Sequence, residues 1–294
     1  MMGYLFQFYA VKVLFYLLNF VPLVVSGWIL KRVGDLFYYC SSKRRNIAFA
    51  NLSIVYKDTL SADQKRNIVK KCFENGCLSI LELFLIKKIK KNASRRFTLT
   101  GKKHFEAAFA RGKGVIFVAS HLGSWEYIGF AGFLNKVAHA VIVKKIKNTY
   151  LNDMIDGLRR QIDTLPIPKI NAIRQTLTEL RQNHGVAVLI DQWGGTDGIW
   201  GDFFGVPTST TSLPVRLAKL TGGALIPIYC LRNNSGEYEI QVLPEVSLLD
   251  VPDWESSTTN RLNRILESQI LKYPEQWSWG HRRWKIKPLT NRSA

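Results

Sequence analysis

The sequence predicts an α/β fold, in which a mixed, mostly parallel central sheet is flanked by helices on both faces. Short runs such as 115–119 and 186–190 are apolar at every position, as expected for strands covered on both faces. Segments with helical periodicity alternate with these runs along most of the chain. The length of 294 residues, 47% of them hydrophobic, is enough for one large core. We therefore assign residues 41–294 to one domain.

Residues 1–40 form an apolar segment that precedes this domain. Polar residues and a proline, which should break a helix, interrupt residues 4–30. A membrane-spanning helix needs about 20 predominantly apolar residues, which this segment barely supplies. We interpret it as a broken, membrane-associating helix in the bilayer interface, and a buried helical hairpin and a single span remain alternatives. The basic residues that follow favour a cytosolic position for the body of the chain.

The body of the chain begins with two predicted helices, at 43–56 and 61–91. Ser61 followed by Gln64 is a capping-box signature at the start of the second helix. The remaining pattern predicts strands at 97–100, 115–119, 138–143, 165–170, 186–190, 224–231 and 238–243, and helices at 102–111, 124–134, 148–162, 172–183, 213–220 and 254–271.

The net charge of +19 predicts a surface that attracts polyanions. Nucleic acid, an anionic membrane and an acidic protein all fit this charge, but no recognised nucleic-acid-binding motif occurs. None of the four cysteines forms a C-x-x-C pair, and no clustered metal-ligand spacing occurs. The cysteines therefore imply neither a disulfide framework nor a zinc knuckle, and they fit a reducing compartment.

Two polar residues follow directly on buried strands. His121 comes after the strand at 115–119 and Asp191 after the strand at 186–190. Because chemistry in such sheets lies at the carboxyl ends of the strands, the two residues indicate a shared active site.

Glu126 is the second carboxylate near His121 along the chain. On one helix, five positions would separate the two side chains by about 140°. Gly123 and Ser124 instead predict a turn with Ser124 as the helix N-cap, which lets His121 fold back over the first turn. We therefore expect Glu126 to accept a hydrogen bond from His121 and to make the imidazole a general base.

Several segments together resemble a known family. "HLGSWE" resembles the H-x4-D/E block of the lysophospholipid acyltransferase superfamily, and its Trp and Glu indicate the branch of bacterial lipid A late (secondary) acyltransferases. That branch more often has Asn where this chain has Ser124. The resemblance extends through "RRNIAFANLSIVY", through "LIDQWGGTDGIWGDFFGVPTSTTSLPVRLAKLTGGALIPIY", and to "YPEQWSWGHRRWK" near the end.

The resemblance implies an O-acyltransferase with His121 as general base and Glu126 as its charge partner. It implies direct transfer from an acyl thioester, carried by acyl carrier protein or coenzyme A, with no covalent acyl-enzyme, no cofactor and no metal. The implied oxyanion and substrate-binding residues are Arg159 (or the adjacent Arg160), Ser124, Asp191, Gln192, Phe203, Phe204, Gly205 and Thr210, with His281 and Arg283 as weaker candidates.

The implied acceptor is a hydroxyl of a lipid A precursor at the cytoplasmic face of the bacterial inner membrane. The implied partners are this membrane lipid, the acidic acyl carrier protein and the anionic membrane surface, without nucleic acid. Three alternatives stay open: an acyltransferase acting on another lipid-linked acceptor (a lysophospholipid or glycolipid), a basic nucleic-acid-binding protein, and an inactive membrane-associated scaffold.

Overall fold

Helices and strands alternate through most of the computed structural model, which describes residues 2–170, 172–233 and 235–285. The helices are α1 (Met2–Phe20), α2 (Leu23–Cys40), α3 (Ser42–Tyr56), α4 (Ala62–Lys90), α5 (Ala93–Arg96), α6 (Lys102–Ala110), α7 (Phe130–Leu134), α8 (Thr149–Arg159), α9 (Ala172–Arg181), α10 (Leu213–Thr221) and α11 (Trp254–Lys272). The strands are β1 (Phe97–Thr100), β2 (Val115–Ala119), β3 (His139–Val143), β4 (Thr164–Pro168), β5 (Gly185–Leu189), β6 (Ile199–Phe203), β7 (Val206–Thr210), β8 (Ala224–Arg232) and β9 (Tyr238–Val242).

Seven of these strands form one sheet in the order β1-β9-β8-β2-β5-β3-β4. The five strands from β8 to β4 run parallel to one another, and β9 pairs antiparallel to β8. β1 pairs parallel to β9, so β1 and β9 run against the other five strands. The predicted mixed, mostly parallel sheet is confirmed.

Each face of the sheet packs against its own set of helices. Val115, Phe117 and Ala119 of β2 belong to the core shared with α4, α6, α7 and α8. The intervening Ile116 and Val118 belong to the core shared with α3, α9, α10 and α11. Alternate residues of a strand point to opposite faces, which explains why β2 is apolar at every position.

The N-terminal segment is a helical hairpin that packs on α4. Pro22 separates its two helices, as predicted, and Leu18 and Leu30 are buried in the interface. Lys88 donates to the carbonyl of Leu18 at 3.1 Å and so satisfies one of the carbonyls left free at the end of α1. Large apolar side chains on the other side of the hairpin stay exposed, among them Met2, Phe6, Tyr9, Tyr16, Leu17, Phe20, Val24, Trp28, Leu36 and Tyr39. None of the described helices has the length and apolar character required to cross a bilayer.

Most predicted elements are confirmed within a few residues, including the capping box, in which Ser61 and Gln64 exchange hydrogen bonds of 2.8 and 3.2 Å. One prediction is wrong, and one hairpin was not predicted. The segment expected to be a helix over 124–134 is a 3₁₀ turn (Trp125–Gly129) followed by the short α7. The β6–β7 hairpin was not expected, because its sequence is rich in Gly, Thr and Ser and alternates only weakly.

Candidate active site

The carboxyl ends of two neighbouring strands bring His121 and Asp191 together. β2 and β5 pair in parallel register, with Ala119 opposite Leu189. The residues two positions beyond these partners therefore lie side by side at the same edge of the sheet. The expected meeting of His121 and Asp191 is confirmed, and it follows from the strand-end argument alone.

Asp191 is the carboxylate that orients the imidazole of His121. Its Oδ1 lies 2.9 Å from Nδ1 of the ring, and its Oδ2 accepts the backbone N–H of His121 at 3.0 Å. The indole N–H of Trp277 donates to the same Oδ2 at 3.0 Å. The Asp191 side chain is 3% exposed and that of His121 22% exposed, so the imidazole reaches solvent while its partner does not.

The charge of Asp191 also sets the basicity of His121. Burial lowers the pKa of His121, but the charge and hydrogen bond of Asp191 outweigh burial, and Glu126 acts in the same direction, so the net pKa is raised. Burial alone would raise the pKa of Asp191, because it disfavours the charged carboxylate. The interactions with His121 and Trp277 outweigh burial and lower the pKa below its usual value. The proton is thus held at Nδ1, and the lone pair at Nε2 faces the amide nitrogen of Gln192 at 3.3 Å.

Glu126 does not pair with His121, so the predicted hydrogen bond between them is wrong. Its Oε2 and Oε1 accept from Nε and Nη2 of Arg159 at 3.0 and 2.7 Å. Arg159 also donates to Asp156 at 3.0 Å. The guanidinium offers two parallel N–H groups that match a carboxylate, and an imidazole cannot compete with this geometry. Glu126 nevertheless lies close enough to raise the pKa of His121.

An apolar pocket opens beside Glu126, on the sheet face that carries α7 and α8. Its empty volume of about 490 Å³ includes space that is open to solvent. Its apolar walls come from Phe117, Ala119, Trp125, Ile128, Ala131, Val141, Ala187, Leu189 and Ile228. The ring of Trp125 also meets the His121 imidazole edge-on, with 5.1 Å between ring centres. Trp125 therefore connects the pocket to the imidazole.

Ser124 points away from the pocket, into a buried ion pair that the sequence analysis missed. Its Oγ donates to Glu82 at 2.8 Å and accepts from Nη2 of Arg232 at 2.7 Å. Arg232 itself donates to both oxygens of Glu82 at 2.9 Å. The side chain of Ser124 is fully buried and makes no cap hydrogen bond, so its predicted N-cap role is wrong. Its substrate contact stays a prediction.

Glu82 and Arg232 hold the turn that separates His121 from Glu126. Ser79, one turn before Glu82 on α4, donates to the carbonyl of Gly123 at 2.6 Å. A sequence signal for both members of the pair exists. Arg232 ends an apolar strand, as His121 and Asp191 follow theirs, and Glu82 interrupts the apolar run "LSILELFLI". A charge inside such a run is retained in a core only when it is paired.

The C-terminal stretch 277–285 lies against the same loops. The backbone N–H of Ser278 donates to the carbonyl of His121 at 3.1 Å. Arg283 is fully buried and donates to the carbonyls of Gln192 and Ser209 at 2.8 and 2.7 Å. Arg283 therefore links the Asp191–Gln192 loop to β7 and makes a structural contact.

The predicted pocket residues of the β6–β7 region lie on the opposite face of the sheet. Phe203 is fully buried among aromatic side chains, and Phe204 and Gly205 form the hairpin turn with φ values of 54° and 71°. Thr210 is buried and accepts from Arg283 at 2.6 Å. The apolar pocket beside Glu126 is lined by other residues, and the contribution of Phe203, Phe204 and Gly205 to an acyl and acceptor pocket stays a prediction.

Comparison with known proteins identifies the family. The sequence profile described as bacterial lipid A biosynthesis acyltransferase matches residues 1–286. A lipid A biosynthesis acyltransferase of Haemophilus influenzae is 25% identical over 90% of this chain and 82% of its own length. The lipid A biosynthesis palmitoleoyltransferase of Escherichia coli is 23% identical over 92% of this chain and 88% of its own. A phosphatidylinositol mannoside acyltransferase of Mycobacterium tuberculosis is 26% identical over 63% of this chain and 58% of its own. With a match that spans nearly its whole length, the chain belongs to the bacterial lipid A biosynthesis acyltransferase family.

Proposed function

We propose that this protein transfers a fatty acyl group from an acyl thioester to a hydroxyl group of a lipid A precursor, at the cytoplasmic face of the bacterial inner membrane. The observation that carries the proposal is the environment of the His121 imidazole. A buried carboxylate fixes its Nδ1, while the side chain stays partly exposed beside an apolar pocket. This combination suits a general base acting between a polar hydroxyl and a hydrocarbon chain.

His121 supplies the proton transfer. Its Nε2 accepts the proton of the acceptor hydroxyl while the hydroxyl oxygen attacks the carbonyl carbon of the thioester. The C–S bond then breaks, and the imidazolium returns the proton to the departing thiolate. Asp191 stabilises the imidazolium between these two steps. General-base assistance of this kind contributes about 10²–10⁴-fold to the rate.

Arg159 is the group that we assign to the negative charge of the tetrahedral intermediate. Three of its N–H groups are held by Glu126 and Asp156. The guanidinium has five N–H groups, so two remain for a substrate oxygen. In this arrangement Glu126 is a positioning residue, because it holds the guanidinium in place and acts on the imidazole through its charge. An oriented donor of this kind is worth about 10²–10³-fold.

The apolar pocket supports a fatty chain as the transferred group. Its wall is built from the apolar side chains of β2, β5 and α7, and the carboxylate of Glu126 lies at the same pocket. A chain that enters there lies next to Trp125 and hence next to the imidazole. Acyl carrier protein or coenzyme A supplies the thioester in this proposal.

The exposed side of the α1–α2 hairpin supports a membrane-bound acceptor. Phe6 is 77% exposed, Phe20 92% and Trp28 63%. Burial of each such side chain in an apolar phase is worth roughly 1.5–3 kcal/mol. The positive charge of the chain adds attraction to anionic lipids. We therefore place the hairpin in the interfacial region of the bilayer.

The test is transfer of an acyl group by purified full-length protein, followed by mass spectrometry of the lipid product. We expect a lipid A precursor to gain the mass of one acyl group. His121→Ala should abolish this gain. His104→Ala is the matched control, because His104 lies on α6, at the edge of the sheet where β2 begins, and this variant should keep full activity. A His121→Ala protein with near-normal transfer refutes the assignment.

A second acceptor class is supported by one of the relatives. The phosphatidylinositol mannoside acyltransferase is similar to 63% of the chain, and its name describes a glycolipid acceptor. The same imidazole and pocket would serve that acceptor. Offering a glycolipid and a lipid A precursor in one mixture separates the two, since the preferred acceptor gains the acyl mass first.

A further inference from the structure

The stretch 278–285 places additional positive charge beside the imidazole. Ser278 donates to the carbonyl of His121, and Arg283 donates to that of Gln192. Ser278 and Arg283 thus contact the two loops that carry His121 and Gln192. His281 lies between Ser278 and Arg283 along the chain. Asn51 of α3 donates to the carbonyl of His281 at 2.8 Å and fixes the stretch against that helix.

Two cations flank His281. Nη1 of Arg44 donates to the carbonyl of Gly280 at 3.0 Å. Nζ of Lys285 lies 3.9 Å from the centre of the Trp193 ring, one residue beyond Gln192. Burial lowers the pKa of His281, Asp191 opposes this effect, and His121, Arg44 and Lys285 lower the pKa further. These charges are therefore close enough to His281 to act on it.

The positive charges of Arg44 and Lys285 are not balanced by a free carboxylate. Within residues 2–170, 172–233 and 235–285, Arg44 contacts a carbonyl and Lys285 an aromatic ring, and neither forms an ion pair. Asp191 is buried and already accepts three hydrogen bonds. Arg44 and Lys285 are both exposed, so an anion can reach them from solvent. An anion bound beside them would offset the repulsion that both cations exert on a protonated His281.

We propose that Arg44, His281 and Lys285 bind a phosphate group of a substrate next to His121. A phosphate has several acceptor oxygens, and guanidinium, ammonium and imidazole donors suit it. Arg44 lies at the start of α3, which follows directly on the exposed apolar hairpin. The subsite is thus connected through α3 to the proposed bilayer contact.

This proposal rests on the proposed function and names a contact for its substrates. Two sources of phosphate fit: a phosphate of the lipid A precursor, and the phosphopantetheine phosphate of the acyl donor. The variants are Arg44→Gln, Lys285→Gln and the double variant. Lys103→Gln is the matched control, because Lys103 is an exposed lysine on α6, at the opposite edge of the sheet.

Steady-state kinetics compare phosphorylated with dephosphorylated precursor, and an acyl-phosphopantetheine donor with an acyl-pantetheine donor. Each single variant should raise the KM for the phosphate-bearing substrate about tenfold, as expected for one charge-assisted hydrogen bond. The KM for the matching phosphate-free substrate and the kcat should stay unchanged. The substrate whose KM depends on its phosphate identifies the source.

Binding is also measured in a His121→Ala background, which removes transfer. There the double variant should bind phosphorylated precursor, or phosphopantetheine donor, at least tenfold more weakly than its parent. The subsite is overturned if the variants bind as tightly as their parent proteins and have the same KM as the wild type for all four substrates. A wild-type protein that transfers no acyl group but binds phosphorylated precursor through Arg44 and Lys285 overturns the proposed function and leaves the subsite standing.

Discussion

Replacing Asp191 by Asn tests which carboxylate orients the His121 imidazole and fixes its tautomer. Oδ2 of Asp191 accepts two N–H groups, from the His121 backbone and from Trp277, and Oδ1 faces Nδ1 of His121. In Asp191→Asn the amide oxygen must stay on the side of the two donors. The amide NH₂ then faces Nδ1 and forces that nitrogen to accept. The proton moves to Nε2, which can no longer act as the base.

The expected loss is large because the wrong tautomer is chemically inactive. The same substitution in a Ser-His-Asp triad lowers kcat about 10⁴-fold, and we expect a loss of about that size here. The residual activity should also change its pH dependence. In the proposed mechanism His121 acts as a base only when it is deprotonated, so kcat/KM should fall as the pH drops through its pKa. Asp191 raises this pKa, and its removal should move the acidic limb to lower pH.

The assay is the rate of acyl transfer to a lipid A precursor across a pH series. Asp197→Asn is the control, because Asp197 lies in an exposed part of the same loop and contacts Thr196 at 3.2 Å. Thermal unfolding verifies that Asp191→Asn remains folded. An Asp191→Asn protein that is folded, keeps more than a tenth of the wild-type rate and has an unshifted acidic limb refutes the role of Asp191.

Three further predictions concern the neighbouring groups. Glu126→Gln breaks the bidentate contact with Arg159, so kcat should fall about 10²-fold in the transfer assay, while the acidic limb moves less than in Asp191→Asn. Arg232→Met leaves the carboxylate of Glu82 buried without its ion-pair partner and should lower the free energy of unfolding by about 3–5 kcal/mol. The double variant with Glu82→Leu should recover part of the lost stability. Denaturant titration measures both changes. Leu189→Phe narrows the apolar pocket, so mass spectrometry of products from mixed donors should show shorter acyl chains than wild type; an unchanged chain distribution excludes the pocket as the acyl site.

The strand-end argument predicted the position of the site because it depends only on local pattern. Runs such as Val115–Ala119 are apolar throughout, and the first polar residues after them must lie at the edge of a covered sheet. His121 and Asp191 were found in this way. The same argument applies to Arg232, which directly follows the predicted strand at 224–231 and was nevertheless overlooked.

Sequence alone therefore determined the sheet, its helical layers, the break at Pro22 and the edge that carries His121. Only the tertiary structure decided which carboxylate the imidazole contacts. Asp191 is 70 residues away along the chain and becomes a neighbour through the parallel register of β2 and β5. Glu126 is nearer in sequence, but Arg159 on α8 takes both its oxygens. Spacing along a chain fixes which side chains can be close, whereas the hydrogen-bond partner is settled by competition among all groups that the fold brings together.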